Sequence, residues 1–347
     1  EPSSSGRQMN CHFSTSFLNS DGSWKSLTDC YNSSADVSPT GSQMPRLLGL
    51  AYASKLYREL SSLHESTSFS RNGNEIAFGT IGNASCAEGM FWETVNAAGV
   101  LQVPLLLSIW DDEYGISVHN EYQITKKNLS EVLKGFQRGQ GGPLGYELFT
   151  VKGWDYPALV ETYRKAAQIT RTEHIPVIIH VIEVTQPQGH STSGSHERYK
   201  SKERLVWEHD FCCIRKMREW ILSQQISTIK ELDTLESQEK KQVEAIQKLA
   251  WKDYIEPIQK ELREVSEKIR QLAQHSASSE ALLRLKQTLE EKEAPFRKDI
   301  FESIAQALLW TRTEKTPLRQ ELSLWKKQHQ TLQQERYSSH LHCETEH

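Results

Sequence analysis

Glu75-Ile76-Ala77-Phe78-Gly79-Thr80-Ile81-Gly82-Asn83-Ala84-Ser85-Cys86-Ala87-Glu88-Gly89, followed at residue 104 by Pro104-Leu105-Leu106-Leu107-Ser108-Ile109-Trp110-Asp111-Asp112-Glu113-Tyr114-Gly115, is the stretch on which the fold turns. Glu75–Ile81 reads as a strand that runs into a turn of small residues. Glu88–Gln102 reads as a helix, and Pro104–Trp110 as an apolar strand. Strand, helix and strand in that order form a parallel unit with a crossover. Working outward, Leu129–Phe136 is a short helix, Tyr146–Val151 a strand, Tyr156–Thr172 a helix and Pro176–Val184 a β-branched strand. Upstream, Leu47, Leu48, Leu50, Ala51, Ala53, Leu56 and Tyr57 recur at helical spacing within Pro45–Leu63. The expectation is an α/β domain, a parallel sheet flanked by helices, with ligands beyond the carboxyl ends of its strands.

Past Trp207 the composition shifts to Glu, Lys, Gln and Leu. Thr228 and Glu231 make a capping-box signature for a long helix. Ile255, Ile258, Leu262, Val265, Ile269 and Leu272 alternate three and four residues apart, a coiled-coil seam. His275–Ser279 breaks the pattern, and Leu282, Leu285 and Leu289 restart it, so an α-helical hairpin or coiled-coil arm is expected. Pro257 and Pro295 should kink or interrupt its helices, and Trp310 and Trp325 should anchor later turns. The boundaries read as 1–205 for the α/β domain, 206–335 for the helical arm or linker, and 336–347 for the start of a further segment. Glu1-Pro2-Ser3-Ser4-Ser5-Gly6 reads as a fragment start, without the layout of a signal peptide.

The chain has 347 residues, 37% of them hydrophobic, and a formal charge of −4. That length permits one large domain with an appendage, and the charge lacks the footprint of a nucleic-acid binder. No apolar run approaches the roughly 18 to 20 residues that span a bilayer, so neither nucleic acid nor membrane is expected as a partner. Cys11, Cys30, Cys86, Cys212, Cys213 and Cys343 show no disulfide framework, which fits a reducing cytoplasm. Cys11-His12 is adjacent rather than spaced as zinc ligands and reads as a pocket or core pair.

The chemistry is expected at Gly82-Asn83-Ala84-Ser85-Cys86-Ala87-Glu88-Gly89 and at Asp111-Asp112-Glu113-Tyr114-Gly115. A strand end, a small-residue loop and a helix N-terminus offer N–H groups to a phosphate. One helix and one strand then return the chain beside that loop, so oxygen side chains at adjacent strand ends form a candidate magnesium cradle. This arrangement resembles the thiamine-diphosphate motif, a Gly-Asp-Gly turn and an Asn-Asn turn about thirty residues later. With Glu88-Gly89, Trp92-Glu93, Asn96-Ala97-Ala98, Pro104, Tyr114-Gly115-Ile116-Ser117 and the run Gly189–Lys200, it resembles the alpha-type half of 2-oxo acid dehydrogenases over about Cys11–Leu222. The helical arm looks like the linker of members that fuse alpha and beta halves.

That resemblance implies thiamine diphosphate and Mg2+ as cofactors. The metal ligands would be the side chains of Asn83 and Asp112 and the carbonyl of Tyr114. Ser38, Thr40, Gly82, Asn83, Ala84, Ser85, Asp112, Gly115 and His190 would surround the cofactor, with His190 as the catalytic histidine of the active-site loop. Ser42 and Gln43 fall where relatives hold a structural monovalent cation. A beta-type half, a lipoyl-bearing acyltransferase and an oligomer are the implied partners, and branched-chain 2-oxo acids, then pyruvate, the implied substrates. The sequence departs from the pattern at Asn83, normally Asp; at Asp112, usually Asn; at Ala84, which replaces a Gly; and at Gln186, near an expected arginine. A Tyr–Arg pair that grips the diphosphate would lie upstream of residue 1. The blander readings are a turn residue for Asn83, a cap for Asp112, and surface groups for His174, His196 and the terminal histidines. A non-catalytic remnant whose arm mediates assembly is the rival reading.

Overall fold

A computed structural model describes residues 15, 17–19, 21–34, 39–139, 144–187, 189–190 and 196–337. The chain divides into two compact units that meet in sequence between Ile229 and Lys230. The unit that precedes this boundary carries α1 (Gln43–Glu59), β1 (Ala77–Gly82), α2 (Gly89–Leu101), β2 (Leu105–Trp110), and the ribbon of β3 (Tyr114–Gly115) with β4 (Val118–His119). It continues with α3 (Leu129–Leu133), β5 (Glu147–Lys152), α4 (Tyr156–Glu173), β6 (Val177–Ile182), α5 (Lys202–Asp210) and α6 (Cys213–Ser223).

Four strands form one parallel sheet in the order β1-β2-β6-β5. The two central strands explain their own composition. Leu105–Ile109 of β2 and Val177–Val181 of β6 are buried throughout, because helices cover both faces. Leu105, Leu107 and Ile109 join Met44, Leu47 and Ala51 of α1 and Phe91, Val95 and Ala98 of α2 in one cluster. Leu106, Val177, Ile179 and Val181 point the other way and meet Ala166 of α4. Each of the Val, Leu, Ile, Phe and Met side chains among them contributes about 1.5 to 3 kcal/mol by leaving water. Gly79 lets α1 cross β1 closely, since a Cβ there would come within 2.5 Å of Leu47 Cδ2.

Helix α4 starts where Asp155 Oδ1 accepts the Ala158 N–H at 3.1 Å, with Pro157 in the first turn. It ends at His174 in the left-handed conformation, φ 54°. His174 is buried, its Nε2 2.8 Å from the Gly73 carbonyl, which corrects the expectation of a surface histidine. A lone polar residue after a helix is indistinguishable in sequence from a solvated cap; here it ties α4 to the turn before β1.

From Lys230 on, the helical unit contains most of α7 (Ile229–Ala273), with α8 (Ser279–Glu290), α9 (Arg297–Trp310) and α10 (Pro317–Tyr337). The seam Ile255, Ile258, Leu262, Val265, Ile269 and Leu272 is buried as the spacing predicts. From Ile258 on it packs against Leu282 and Leu289 of α8, Ile300, Ile304 and Ala307 of α9, and Leu322 and Trp325 of α10. The hairpin expected around His275–Ser279 is thus the first half of a four-helix core. Pro257 neither ends nor divides α7. It sits on an exposed face, where water can take the carbonyl that its missing N–H leaves free. Pro295 lies in the break between α8 and α9. Trp325 is an anchor, 6% exposed, but Trp310 at the end of α9 is 40% exposed and anchors little.

Candidate cofactor site

Register places the expected loops side by side. Gly82, the last residue of β1, pairs with Trp110, the last of β2, and Trp110 pairs with Val181 of β6. The segments 83–88, 111–115 and 183–187 therefore leave the same edge of the sheet. Backbone bonds continue the alignment past the strand ends: Asn83 N–H donates to Trp110 O at 3.2 Å, Asp111 N–H to Val181 O at 2.9 Å, and Val184 N–H to Asp111 O at 3.1 Å. The two turns touch, since a Cβ on Gly115 would fall 2.5 Å from Ala84 Cβ and 2.6 Å from Gln123 Oε1. Gly115 is the residue that permits this approach. A third segment joins them: Gly41, at φ +80°, faces Glu88 with a Cβ-to-Cβ separation of 3.2 Å had it a side chain.

Below this surface runs a buried chain of polar side chains. Asn83 Nδ2 donates to Asn120 Oδ1 at 2.8 Å and to the Tyr114 carbonyl at 3.1 Å. Asn120 Nδ2 donates to Asp111 Oδ1 at 3.0 Å, and Asp111 Oδ1 also accepts the Glu113 N–H at 2.7 Å. His180 Nε2 lies 2.9 Å from Asp111 Oδ2, and its Nδ1 2.7 Å from Ser130 Oγ, which is 2.9 Å from Thr150 Oγ1. Asn83, Asp111, Asn120, Ser130 and His180 are all buried. Ser130, His180 and Asp111 have the order of a nucleophilic triad. A nucleophile must be reached by its substrate, and Ser130, on α3, is buried, so these side chains position rather than attack.

Directions along this chain are fixed by its one acceptor-only member. The Asp111 carboxylate takes N–H groups from His180 and from Asn120, so Asn120 turns its oxygen toward Asn83. Asn83 must then present its amide nitrogen, and that nitrogen also satisfies the Tyr114 carbonyl.

Helix α5 holds the second turn from outside. Arg204 pairs with Glu113 through Nη1, donates from Nη2 to Asp112 O at 2.9 Å, and donates from Nε to Glu208 Oε1 at 2.9 Å. Lys200 Nζ reaches the same Glu208 oxygen at 2.7 Å, both side chains 1% exposed, and sits 5.1 Å above the Tyr114 ring. These contacts tie α5 to the turn after β2 within a compact unit that runs past residue 205 to Ile229, and Lys200 and Glu208 are buried partners in it. Beside Tyr114 lies a cleft of about 640 Å³ that Glu113, His119, Tyr199 and Arg204 help to line. Burial raises the Asp112 carboxyl above its ordinary value; the Tyr114 N–H, at 3.1 Å, and Lys200 oppose this, while Asp111 adds to it. Burial likewise raises the Tyr114 and Tyr199 phenols.

The expected site residues are distributed as follows. Asn83 is buried; Ala84, Ser85, Asp112, Tyr114 and Gly115 are half-buried around it; Gly82 is exposed. Thr40 is exposed in the turn before α1, and Ser42 and Gln43 are half-buried at that helix's start. His190 is exposed on the loop after β6. Ser38, Cys11, His12, residues 191–195 and residues 338–347 lie outside the described residues. Asp111, Asn120 and His180 are buried polar neighbours of Asn83 to which the sequence analysis gave no role. His180 carried a signal, a polar residue inside an otherwise apolar strand, whereas Asn120 carried none.

Magnesium does not fit this arrangement. A hard cation needs converging oxygens, and the cradle requires oxygen from Asn83, Asp112 and the Tyr114 carbonyl together. The Tyr114 carbonyl already has a donor, the Asn83 nitrogen, at 3.1 Å. That cradle contains a single carboxylate, and apart from it no three His, Cys, Asp or Glu side chains cluster as metal ligands among the described residues. Nor, among them, is any helix long and apolar enough to cross a membrane.

The dehydrogenase E1 component family matches residues 8–259. The 2-oxoisovalerate dehydrogenase subunit alpha 1, mitochondrial, of Arabidopsis thaliana is 25% identical over 218 residues, covering 62% of this chain and 38% of that protein. The pyruvate dehydrogenase E1 component subunit alpha of Rickettsia typhi is 25% identical over 197 residues, 56% of this chain and 53% of that protein. The 2-oxoisovalerate dehydrogenase subunit alpha of Bacillus subtilis is 25% identical over 205 residues, 59% and 51% of the two chains. The chain spans about half the length, or less, of these curated relatives.

Proposed function

Because this chain belongs to the dehydrogenase E1 component family, we propose that it is the alpha-type part of a 2-oxo acid dehydrogenase. The reaction would be thiamine-diphosphate-dependent oxidative decarboxylation of a 2-oxo acid, with transfer of the acyl group to a lipoyl partner. The observation that carries this reading is the level alignment of Gly82, Trp110 and Val181, which brings three candidate loops to one edge of the sheet. Branched-chain 2-oxo acids and pyruvate are the candidate substrates, with the branched-chain acids favoured from the sequence resemblance; relatives of both names match at 25% identity, which does not separate them. A beta-type half, a lipoyl-bearing acyltransferase and oligomeric assembly would complete the enzyme. The free thiols Cys30, Cys86, Cys212 and Cys213 suit a reducing cytoplasm.

Bound thiamine diphosphate would supply the electron sink for decarboxylation. The chain's own contribution is placement. The small residues Ala84 and Ser85 and the start of α2 would face the diphosphate, where helix N–H groups favour an anion. Gly115 and Thr40 would bound the same space. His190 would donate a proton or hydrogen bond during acyl transfer. Magnesium has no part in these steps, since its carbonyl ligand is already engaged.

A second reading, a non-catalytic assembly subunit, draws on that same Asn83 amide. Both are tested by mixing the chain with a matched beta half, titrating thiamine diphosphate and Mg2+ calorimetrically, and screening branched-chain 2-oxo acids and pyruvate. The experiment includes Asn83→Asp beside the native chain. Cofactor binding and turnover by the native chain uphold the first reading. Turnover by Asn83→Asp alone upholds the second for the present sequence, and neither association nor turnover by either protein rejects the first.

A further inference from the structure

We propose that the Asn83 amide closes the metal position of this chain, standing in for a divalent cation as the partner of the Tyr114 carbonyl. This rests on reading residues 82–89 and 111–115 as the cofactor turns. A cation and an N–H donor offer a carbonyl the same thing, positive charge along its lone pair. Only one of them can occupy that direction.

The exclusion is built in from a distance. If Asn83 could rotate its amide, its oxygen would turn toward Tyr114 and a cation could join the two. Rotation would bring the Asn83 oxygen against the Asn120 oxygen, now 2.8 Å from the nitrogen. Asn120 cannot yield by rotating in turn, because its nitrogen serves Asp111 at 3.0 and 3.3 Å. Asp111 is held in place by His180 at 2.9 Å and by the Glu113 N–H at 2.7 Å. The carboxylate at Asp111 thus decides, through Asn120, which atom of Asn83 faces the cradle. In this chain Asp111 and Asn120 are positioning residues.

Replacing Asn83 by Asp inverts the situation. A carboxylate donates to neither Asn120 Oδ1 nor Tyr114 O, so two oxygens are left facing it, and a divalent cation becomes the species that reconciles them.

The test uses the full chain and Mn2+ as a paramagnetic probe that shares the oxygen preference of Mg2+. Amide resonances of Tyr114 and Gly115 are followed during titration, with and without thiamine diphosphate. The native chain should show no selective broadening at millimolar Mn2+. Asn83→Asp should show it at Tyr114 and Gly115, with affinity at least about tenfold tighter. Selective broadening in the native chain, or none in a folded Asn83→Asp, overturns the proposal. If Asn83→Asp does not fold, the native titration decides alone: an undisturbed Asn83 side-chain amide signal upholds the closure, and its loss overturns it. The outcome is distinguishable from failure of the functional reading, because metal binding is scored on the chain itself and turnover on its complex with a beta half.

Discussion

Asp111 and Asp112 are adjacent acidic residues at the end of β2, and their surroundings differ in kind. Asp111 is buried and accepts from Asn120, from the Glu113 N–H and from His180. Asp112 is half-buried with one backbone donor, Tyr114 N–H, and burial raises its carboxyl above the ordinary value. The stability effects should diverge accordingly. Asp111→Asn removes the acceptor on which three donors converge and leaves one of them facing an amide nitrogen, at a cost of about 1.5 to 3 kcal/mol. Asp112→Asn removes a charge that folding disfavours and should change stability by less than about 0.5 kcal/mol or increase it. Urea denaturation at neutral pH measures both, and equal losses for the two variants would refute the distinction. In the sequence the two residues look alike, and the turn's resemblance to a cofactor motif drew attention to Asp112 alone. The role of Asp111 depends on His180, brought across by β6, and on Asn120, brought back by the β3–β4 ribbon. A nearest-neighbour reading of residues has no access to either.

Elements were more legible than residues because their signals are local and repeated. The apolar runs of β2 and β6 announce strands covered on both faces, and the parallel order follows from the helices between strands. What periodicity does not encode is which polar residue at an element's end is internal, and His174 at the end of α4 is the case in point. Burial lowers its imidazole below the ordinary 6.5; the Gly73 carbonyl works the other way, Arg58 and Lys55 reinforce the lowering, and Glu59 opposes it. The unfolded chain therefore takes up this proton first. The associated stability is complete above pH 6.5 and is lost as pH falls through the lower folded value. His174→Gln keeps a donor for the Gly73 carbonyl and cannot titrate. Urea midpoints compared between neutral and mildly acidic pH should fall less in His174→Gln than in the native chain, and an identical fall in both would show that His174 contributes nothing to the slope.

Over the whole molecule the two units keep separate cores. Met44, Phe91, Leu107 and Ile109 belong to the cluster on one face of the sheet, whereas Val265, Ile269, Ile304 and Leu322 belong to the helical cluster. The α7 seam was legible from spacing alone, but its partners were not, since the spacing within one helix does not say which other helices cover it. The compact α/β unit extends to Ile229, beyond the boundary expected at 205 from the composition shift past Trp207, and Arg204 of α5 is bonded to the turn after β2. Cores without shared residues should melt as separate cooperative steps. Ile304→Ala opens a cavity beside Ile269 and Leu322 and should cost the helical unit about 2 to 5 kcal/mol. For a unit of roughly 100 residues that is a fall of about 8 °C or more in its melting temperature. Leu107→Ala should cost the α/β unit a similar free energy, which for a unit of roughly 200 residues is a fall of about 4 °C or more. Scanning calorimetry of native and variant chains reads both transitions at once. Each substitution should move one transition and leave the other within about 2 °C, given that distant, unshared sites add independently. A single transition, or two that shift together under either substitution, would mean that the units fold as one cooperative body despite their separate cores.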